Sequence, residues 1–363
     1  MLTRRFLDSF DFPTMLVALA LGGLGVLAIA SATLGQPARI GLWHVQLVWL
    51  AIGTVAALVV VGVDYHVWAE FSLVVHGLVV IALVTVLFFG REVAGNRSWL
   101  VVGPLSFQPS EVAKWSTCLV LAAYLSERVR GSMGLRQIVE MGVIVGLPTG
   151  LVAAQPDTGT ALTFVPIYLA ALLLGGLRWK VILIVLLLGA LLAPVGWGHL
   201  KEYQKERILN VLDPERDPSG IGYQTRQSKI AVGSGKLTGK GLFRGTQSHL
   251  NFLPAQHTDF ILAVVSEELG FAGAATVLAL FYALLYRGVL AARSAQDRLG
   301  SYLSLLVLAW ITGQLAINVG MVLGLMPTIG VPLPLMSYGG TALVSVLAGV
   351  GLIVNVRSRR FVN

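Results

Sequence analysis

The chain has 363 residues, of which 56% are hydrophobic and only 12% charged, and its mean hydropathy is +0.79. A water-soluble globule carries about 25% charged residues, so these values exclude one and predict an integral membrane protein. The net charge of +8 does not point to nucleic acid, because the Lys and Arg residues lie mostly in short loops between apolar runs, where they set topology or meet anionic lipid.

In a bilayer the structural unit is a run of roughly 20 apolar residues. Such runs occupy 13–34, 42–63, 69–89, 110–126, 138–154, 158–175, 180–197, 260–286, 301–325 and 337–356. The expected fold is therefore all-α: one polytopic membrane domain, 1–363, forming a bundle of ten transmembrane helices. A long extracytoplasmic loop, 198–259, separates helices seven and eight. The first run is too long for a signal-peptide core and shows no convincing cleavage site, so it reads as a retained span. Pro156 divides the fifth run from the sixth. The single Cys118 excludes an internal disulfide.

A cytoplasmic N-terminus places thirteen Lys and Arg residues in inner short loops and three, Arg39, Arg91 and Arg97, in outer ones. The positive-inside rule then puts both termini in the cytoplasm. The long loop is also basic, but a loop of that length translocates regardless of charge.

This topology gathers the polar residues on the outer side. Arg97 and Trp99 fall in the outer loop after the third run, and Glu111 and Lys114 near the outer end of the fourth. Asp157, Asp259 and Ser337 mark the outer starts of the sixth, eighth and tenth. A transporter would place its polar groups near the midplane. Here the midplane is apolar apart from Gln314 and Asn318, which favours chemistry at the outer face.

Each residue has a bland reading beside the functional one. Glu111 and Lys114, spaced i, i+3, form either a structural ion pair or part of a phosphate site. Asp157, after Pro156 and before Thr158, is either an N-cap or a site residue. Arg97 and Trp99 are either interfacial anchors or substrate contacts, and His257 reads as a turn residue. Lys236, Lys240 and Arg244 in the Gly-rich stretch 233–247 form either a flexible rim for an anionic lipid-linked substrate or a plain solvated loop. That stretch does not match the phosphate-loop pattern, because Lys240 stands where its second Gly is required. Charged and apolar residues are mixed over 198–213 as in an amphipathic surface helix. Asp259 reads as a helix cap or a functional carboxylate, and a helix N-terminus is expected to lower its pKa. No Cys/His/Asp cluster has metal-ligand spacing.

Seven blocks then carry a resemblance: G-N-R-S-W from Gly95, Q-P-S-E-V-A-K from Gln108, Q-P-D-T-G-T-A-L from Gln155, R-I-L-N-V-L-D-P from Arg207, G-Y-Q-T-R-Q-S from Gly222, F-L-P-A-Q-H-T-D-F from Phe252 and P-L-P-L-M-S-Y-G-G-T-A-L from Pro332. The chain resembles the SEDS family (shape, elongation, division and sporulation) over essentially its whole length, more its rod-shape branch than its division branch. Two departures stand out: Ala255 where the family more often has Glu, and His44 where a second-span Arg is common.

The resemblance implies a peptidoglycan glycosyltransferase that polymerises lipid II at the outer face of the bacterial cytoplasmic membrane, for cell elongation and rod shape. It implies a class B penicillin-binding protein as transpeptidase partner, and it places the family's catalytic acidic residue on Asp259. That carboxylate would act as general base on the acceptor sugar's 4-hydroxyl, with lipid diphosphate as leaving group. Positive charge from Lys114, Arg97 and a Mg²⁺ or Mn²⁺ bridging the diphosphate would balance it. No organic cofactor is expected. The competing class is a lipid II flippase, and a third is a structural scaffold for the transpeptidase.

Overall fold

The structure is a computed structural model that describes residues 10–36, 39–93, 96–102, 105–129, 133–178, 202–213, 220–250 and 252–360, with the isolated positions 180, 183, 187, 191 and 198. Seven of the described helices are long and apolar enough to cross a membrane: α1 (Phe12–Thr33), α2 (Leu42–Gly62), α4 (Ser72–Phe89), α6 (Leu135–Ala154), α12 (Ile261–Arg293), α13 (Arg298–Val322) and α14 (Gly340–Ser358). Between α2 and α4 lies the short α3 (Tyr65–Glu70). Charged residues temper α5 (Pro109–Arg128), the fourth predicted run, and the sixth is split into α7 (Thr158–Leu162) and α8 (Phe164–Leu174). The seventh, 180–197, lies almost wholly outside the described residues.

Sequence signals at the helix starts hold. Proline opens α1 and α5, where a missing N–H costs nothing. Asp64, Asp157 and Asp297 cap α3, α7 and α13 by accepting N–H groups of His66, Thr160 and Gly300. Burial then sorts the helices. The last, α14, packs along α2 and against α5, α12 and α13, and is the most buried of the seven. By contrast α2, α4 and α6 keep apolar outer faces such as Leu47, Val55, Leu78, Ile81, Phe88 and Val143 exposed, as lipid-facing helices do.

Three features depart from the sequence reading. The stretch before α5, expected as loop, holds a three-stranded antiparallel sheet: β1 (Arg91–Val93), β2 (Asn96–Val102) and β3 (Leu105–Phe107). Arg91 pairs with Trp99, and Leu100 with Phe107. The fold is helical as expected, with this small sheet added to it. Strands this short carry too few alternations to register as periodicity.

The interval 198–259 is also more structured than a loop. It contains α9 (Glu202–Leu212), where the amphipathic helix was expected, then α10 (Ile221–Ser234) and the single turn α11 (Thr246–His249).

The third departure is α12, expected over 260–286 but running 33 residues to Arg293. The part after Gly270 is about 35 Å long at 1.5 Å per residue, enough to cross a bilayer core of about 30 Å. The helix breaks at Gly270 (φ 66°, ψ −162°), a conformation suited to glycine. Four of the backbone groups beside the break are met by the preceding segment. Lys240 and Gly241 N–H donate to Glu267 and Glu268 C=O at 3.1 and 2.9 Å, while Phe271 and Ala272 N–H donate to Lys236 and Leu237 C=O at 2.8 and 3.1 Å. The supposedly flexible basic rim is thus a strap laid into the broken helix, because non-helical backbone at membrane depth needs protein partners.

Candidate active site

Asp259 hangs from a tight turn one residue before the N-cap of α12. Ala255 holds a left-handed φ of 51°, and its carbonyl accepts from Asp259 N–H at 3.0 Å and Thr258 N–H at 3.1 Å. The N-cap is Phe260, with no side-chain cap bond, so the Asp259 side chain is not occupied in capping the helix. His44, the other departure, stacks on its neighbour Trp43 with ring centroids 3.4 Å apart.

The turn is fastened from three sides. Ser337 Oγ donates to Thr258 C=O at 2.5 Å and accepts from Leu333 N–H at 2.8 Å, and Tyr338 N–H donates to His257 C=O at 2.9 Å. Gln256 Nε2 donates to Ala32 C=O at the end of α1 at 2.6 Å. Asn318 of α13 donates to Asp259 C=O at 2.8 Å and to Val331 C=O at 2.7 Å. The two segments 253–260 and 331–338 are therefore one braced unit. Ser337, read from sequence as a substrate contact, is buried in that brace.

The electrostatics run against the expectation from the helix N-terminus. Burial pushes the Asp259 carboxyl up to about 6; a bond from Thr258 and the charge of Arg207 on α9 pull it down, and Asp157 pushes it up again. Desolvation prevails over the helix dipole, and half of a dipole's unit charge is a weak opponent once a carboxylate loses water. Asp157 is raised too, first by its own burial and then by Glu111 among other charges, while its N-cap bond to Thr160 opposes the rise. Gln108 Nε2 also donates to Asp157 at 3.1 Å. His257 is lowered to about 4, by burial and then by Arg39, and stays neutral near pH 7.

Lys114 and Glu111 form a 2.8 Å ion pair with both side chains almost fully buried. The ammonium also donates to Gln314 Oε1 at 3.3 Å and lies 5.4 Å from the centre of the Trp310 ring. In this arrangement Lys114 is held away from solvent. Glu111 keeps one oxygen, Oε2, buried without a hydrogen-bond partner.

Arg97 is exposed and Trp99 half-buried on β2, which packs on α4 and α5. The sheet joins the carboxylate group through Thr341, which meets Ser106 C=O at 3.5 Å and Gln108 N–H at 3.3 Å. Lys240 does not join it: its ammonium pairs with Glu267 at 2.6 Å and donates to Thr246 Oγ1 at 2.7 Å. The structure thus brings together Asp259, Asp157, Glu111, Lys114 and Ser337, sets Arg97 and Trp99 at the margin, and leaves Lys240 in the strap. Sequence reasoning missed Gln108 and Arg207 as partners, although both stand in the motif blocks, and flagged Gln314 and Asn318 only as polar exceptions.

A family profile described as "cell cycle protein", FTSW_RODA_SPOVE, matches residues 12–361. The peptidoglycan glycosyltransferase MrdB of Escherichia coli K12 is 40% identical over 350 residues, covering 96% of this chain and 94% of that one. Stage V sporulation protein E of Bacillus subtilis is 37% identical over 315 residues, 86% and 85% of the two chains. Among solved structures, a chain of a peptidoglycan synthase complex that coordinates polymerization and crosslinking superposes with a TM-score of 0.82 at 32% identity, covering 98% of this chain and 99% of that one. The Thermus thermophilus rod shape determining protein RodA does so with a TM-score of 0.72 at 27% identity, covering 98% of each chain.

Proposed function

The chain belongs to the FtsW/RodA/SpoVE family of cell cycle proteins, the SEDS family, and from that premise we propose how its residues carry out glycan polymerisation. It is a multi-pass membrane peptidoglycan glycosyltransferase of the rod-shape type. Asp259 is the general base: it takes the proton of the acceptor sugar's 4-hydroxyl as that oxygen attacks the anomeric carbon of lipid II, and the lipid diphosphate leaves. The observation that carries this is the half-buried Asp259 carboxylate, braced through its backbone and raised to about 6. A base whose pKa approaches the working pH accepts a proton more effectively than an ordinary Asp.

The substrate-facing cation in this reading is Arg97, with Trp99 beside it, while Lys114 offsets the buried carboxylates from behind. Asp157 and Ser337 shape the site through the cap and the brace. Lys240 reaches substrate only if its pair with Glu267 opens. A divalent cation, Mg²⁺ or Mn²⁺, would supply charge neutralisation at the diphosphate. The orphaned Glu111 Oε2 is the kind of oxygen such an ion prefers. Since no group of three or more His, Cys, Asp or Glu among the described residues could hold a metal, substrate phosphates would provide its other ligands.

The topology that goes with this reading has ten spans, both termini in the cytoplasm, 198–259 outside between spans seven and eight, and the site facing outward from the bacterial inner membrane. A class B penicillin-binding protein is the proposed crosslinking partner, supported by the likeness to a synthase complex. The reading as an enzyme is favoured over a lipid II flippase because Gln314 and Asn318, the polar exceptions of the ninth run, donate their amides to backbone carbonyls of Pro332, Asp259 and Val331.

The test is direct. The protein, purified with its transpeptidase, is supplied with lipid II, and glycan strands are resolved for wild type and Asp259→Asn. Strands from wild type and none above background from the variant are expected; undiminished polymer from the variant overturns the assignment of the base.

A further inference from the structure

We infer that Asn318 is a positioning residue for Asp259, clamping the backbone of the base to α13, an inference that rests on the reading of Asp259 above. Asn318 is fully buried and divides its amide group between two carbonyls of different segments, Asp259 at 2.8 Å and Val331 at 2.7 Å. Gln314 lies four residues earlier, on the same helix face. Its Nε2 donates to Pro332 C=O at 2.9 Å, and its Oε1 accepts from Lys114 Nζ at 3.3 Å and Trp310 Nε1 at 3.0 Å.

Two adjacent rungs of one helix therefore hold the base, the 331–332 segment and the buried ammonium in a fixed relation. The segment needs such partners. Residues 327–333 form no helix or strand, so their carbonyls lack the ladder bonds that regular structure provides. Asp259 has no ion pair of its own among the described residues, so its place depends on its backbone, whose carbonyl Asn318 ties to α13 while Ser337 and Tyr338 hold the two residues before it.

The competing account is that Asn318 merely satisfies two buried carbonyls. The molecule contains the control. Asn355 of α14, also fully buried, makes the same two-carbonyl clamp at the other end of the bundle, donating to Val60 and Val63 C=O at 2.6 and 2.5 Å. If both amides are structural, removing either costs stability and leaves the rate per folded molecule alone.

The experiment compares Asn318→Ala, Asn318→Asp and Asn355→Ala in the complex with the transpeptidase. Lipid II polymerisation is measured as kcat, KM and the pH dependence of kcat/KM, normalised to folded protein, with thermal unfolding in parallel. A displacement near 1 Å costs about 10²-fold in rate. Both Asn318 variants should lose kcat on that scale, keep KM within about threefold, and shift the acid limb of the pH profile. Asn355→Ala should lose thermal stability and keep wild-type kcat. Should Asn318→Ala not accumulate, Asn318→Ser, which retains one donor, should fall between the variant and wild type. Wild-type kcat in the Asn318 variants, or equal losses at 318 and 355, overturns the inference. If Asp259→Asn is inactive while Asn318→Ala is normal, only the positioning role falls; if Asp259→Asn is active, the base falls first.

Discussion

The two ends of the helix bundle treat their carboxylates in opposite ways. At the end where α1 begins and α12 and α14 finish, buried Asp11 is bonded to Arg287, lies 3.3 Å from Arg357 Nε, and accepts from Thr14. Nearby, Asp64 pairs with Arg359 at 3.2 Å, and His66 bridges Asp64 and Asp297 at 2.8 and 2.6 Å. At the end where α12 begins, Asp259 and Asp157 have no ion pair among the described residues, and burial raises both. The first end is neutralised charge by charge and ties the helices together. The second leaves two of its carboxylates, Asp259 and Asp157, without a cation paired to them among the described residues, an arrangement that costs stability.

The contrast is most sharply drawn by Asp259→Asn, for which loss of general-base catalysis should lower polymerisation by about 10²–10⁴-fold. Stability should move the other way. A carboxyl whose folded pKa lies above its unfolded value of about 3.9 favours the fold in acid and opposes it once pH rises through the folded value. At pH 7 the neutral amide therefore removes a cost, and thermal unfolding of the variant should occur at the wild-type temperature or above it. A variant that is both inactive and less stable would place Asp259 with the structural carboxylates.

Asp11→Ala should show the mirror image. Leaving two arginines around an emptied buried site costs about 3–5 kcal/mol, visible as a lower unfolding temperature, while the rate per folded molecule stays near wild type. Loss of kcat without loss of stability would show that the two ends are coupled.

The wild-type pH profile comes next in size. With Asp259 at about 6, kcat/KM should fall about tenfold per pH unit below that value and level off above it. A limb near 4 would mean that the base is solvated in the working enzyme.

The smallest effect belongs to Lys240→Ala. The Lys240 side chain is 26% exposed and buried Glu267 retains N–H donors from Thr246 and Gln247, so its removal should cost less stability than the roughly 3–5 kcal/mol of breaking a fully buried pair and leave kcat near wild type. A large loss of kcat instead would show that the strap opens to present Lys240 to substrate.

Much of this was readable in the chain. Apolar runs located the helices because a bilayer leaves a helix almost no other composition, and the Asp157 cap followed from its place after Pro156. The polar residues at one end could be grouped from topology alone, and the motif blocks selected Asp259 among them. The sheet at 91–107 and the strap at 236–241 escaped, since both are made of backbone bonds between segments whose side chains carry little pattern. The Glu111–Lys114 pair was one of two readings offered by their i, i+3 spacing, whereas the contacts of Lys114 with Gln314 and Trp310 come only with α13.

By itself the sequence determined the membrane class and the family, because these depend on composition and on the order of residues along the chain, and through the family resemblance it nominated Asp259 as the acidic residue. Only the tertiary structure decided that Asp259 is raised and not lowered. That sign is a contest between a local helix end, which sequence position reveals, and desolvation by burial, which only the folded packing supplies.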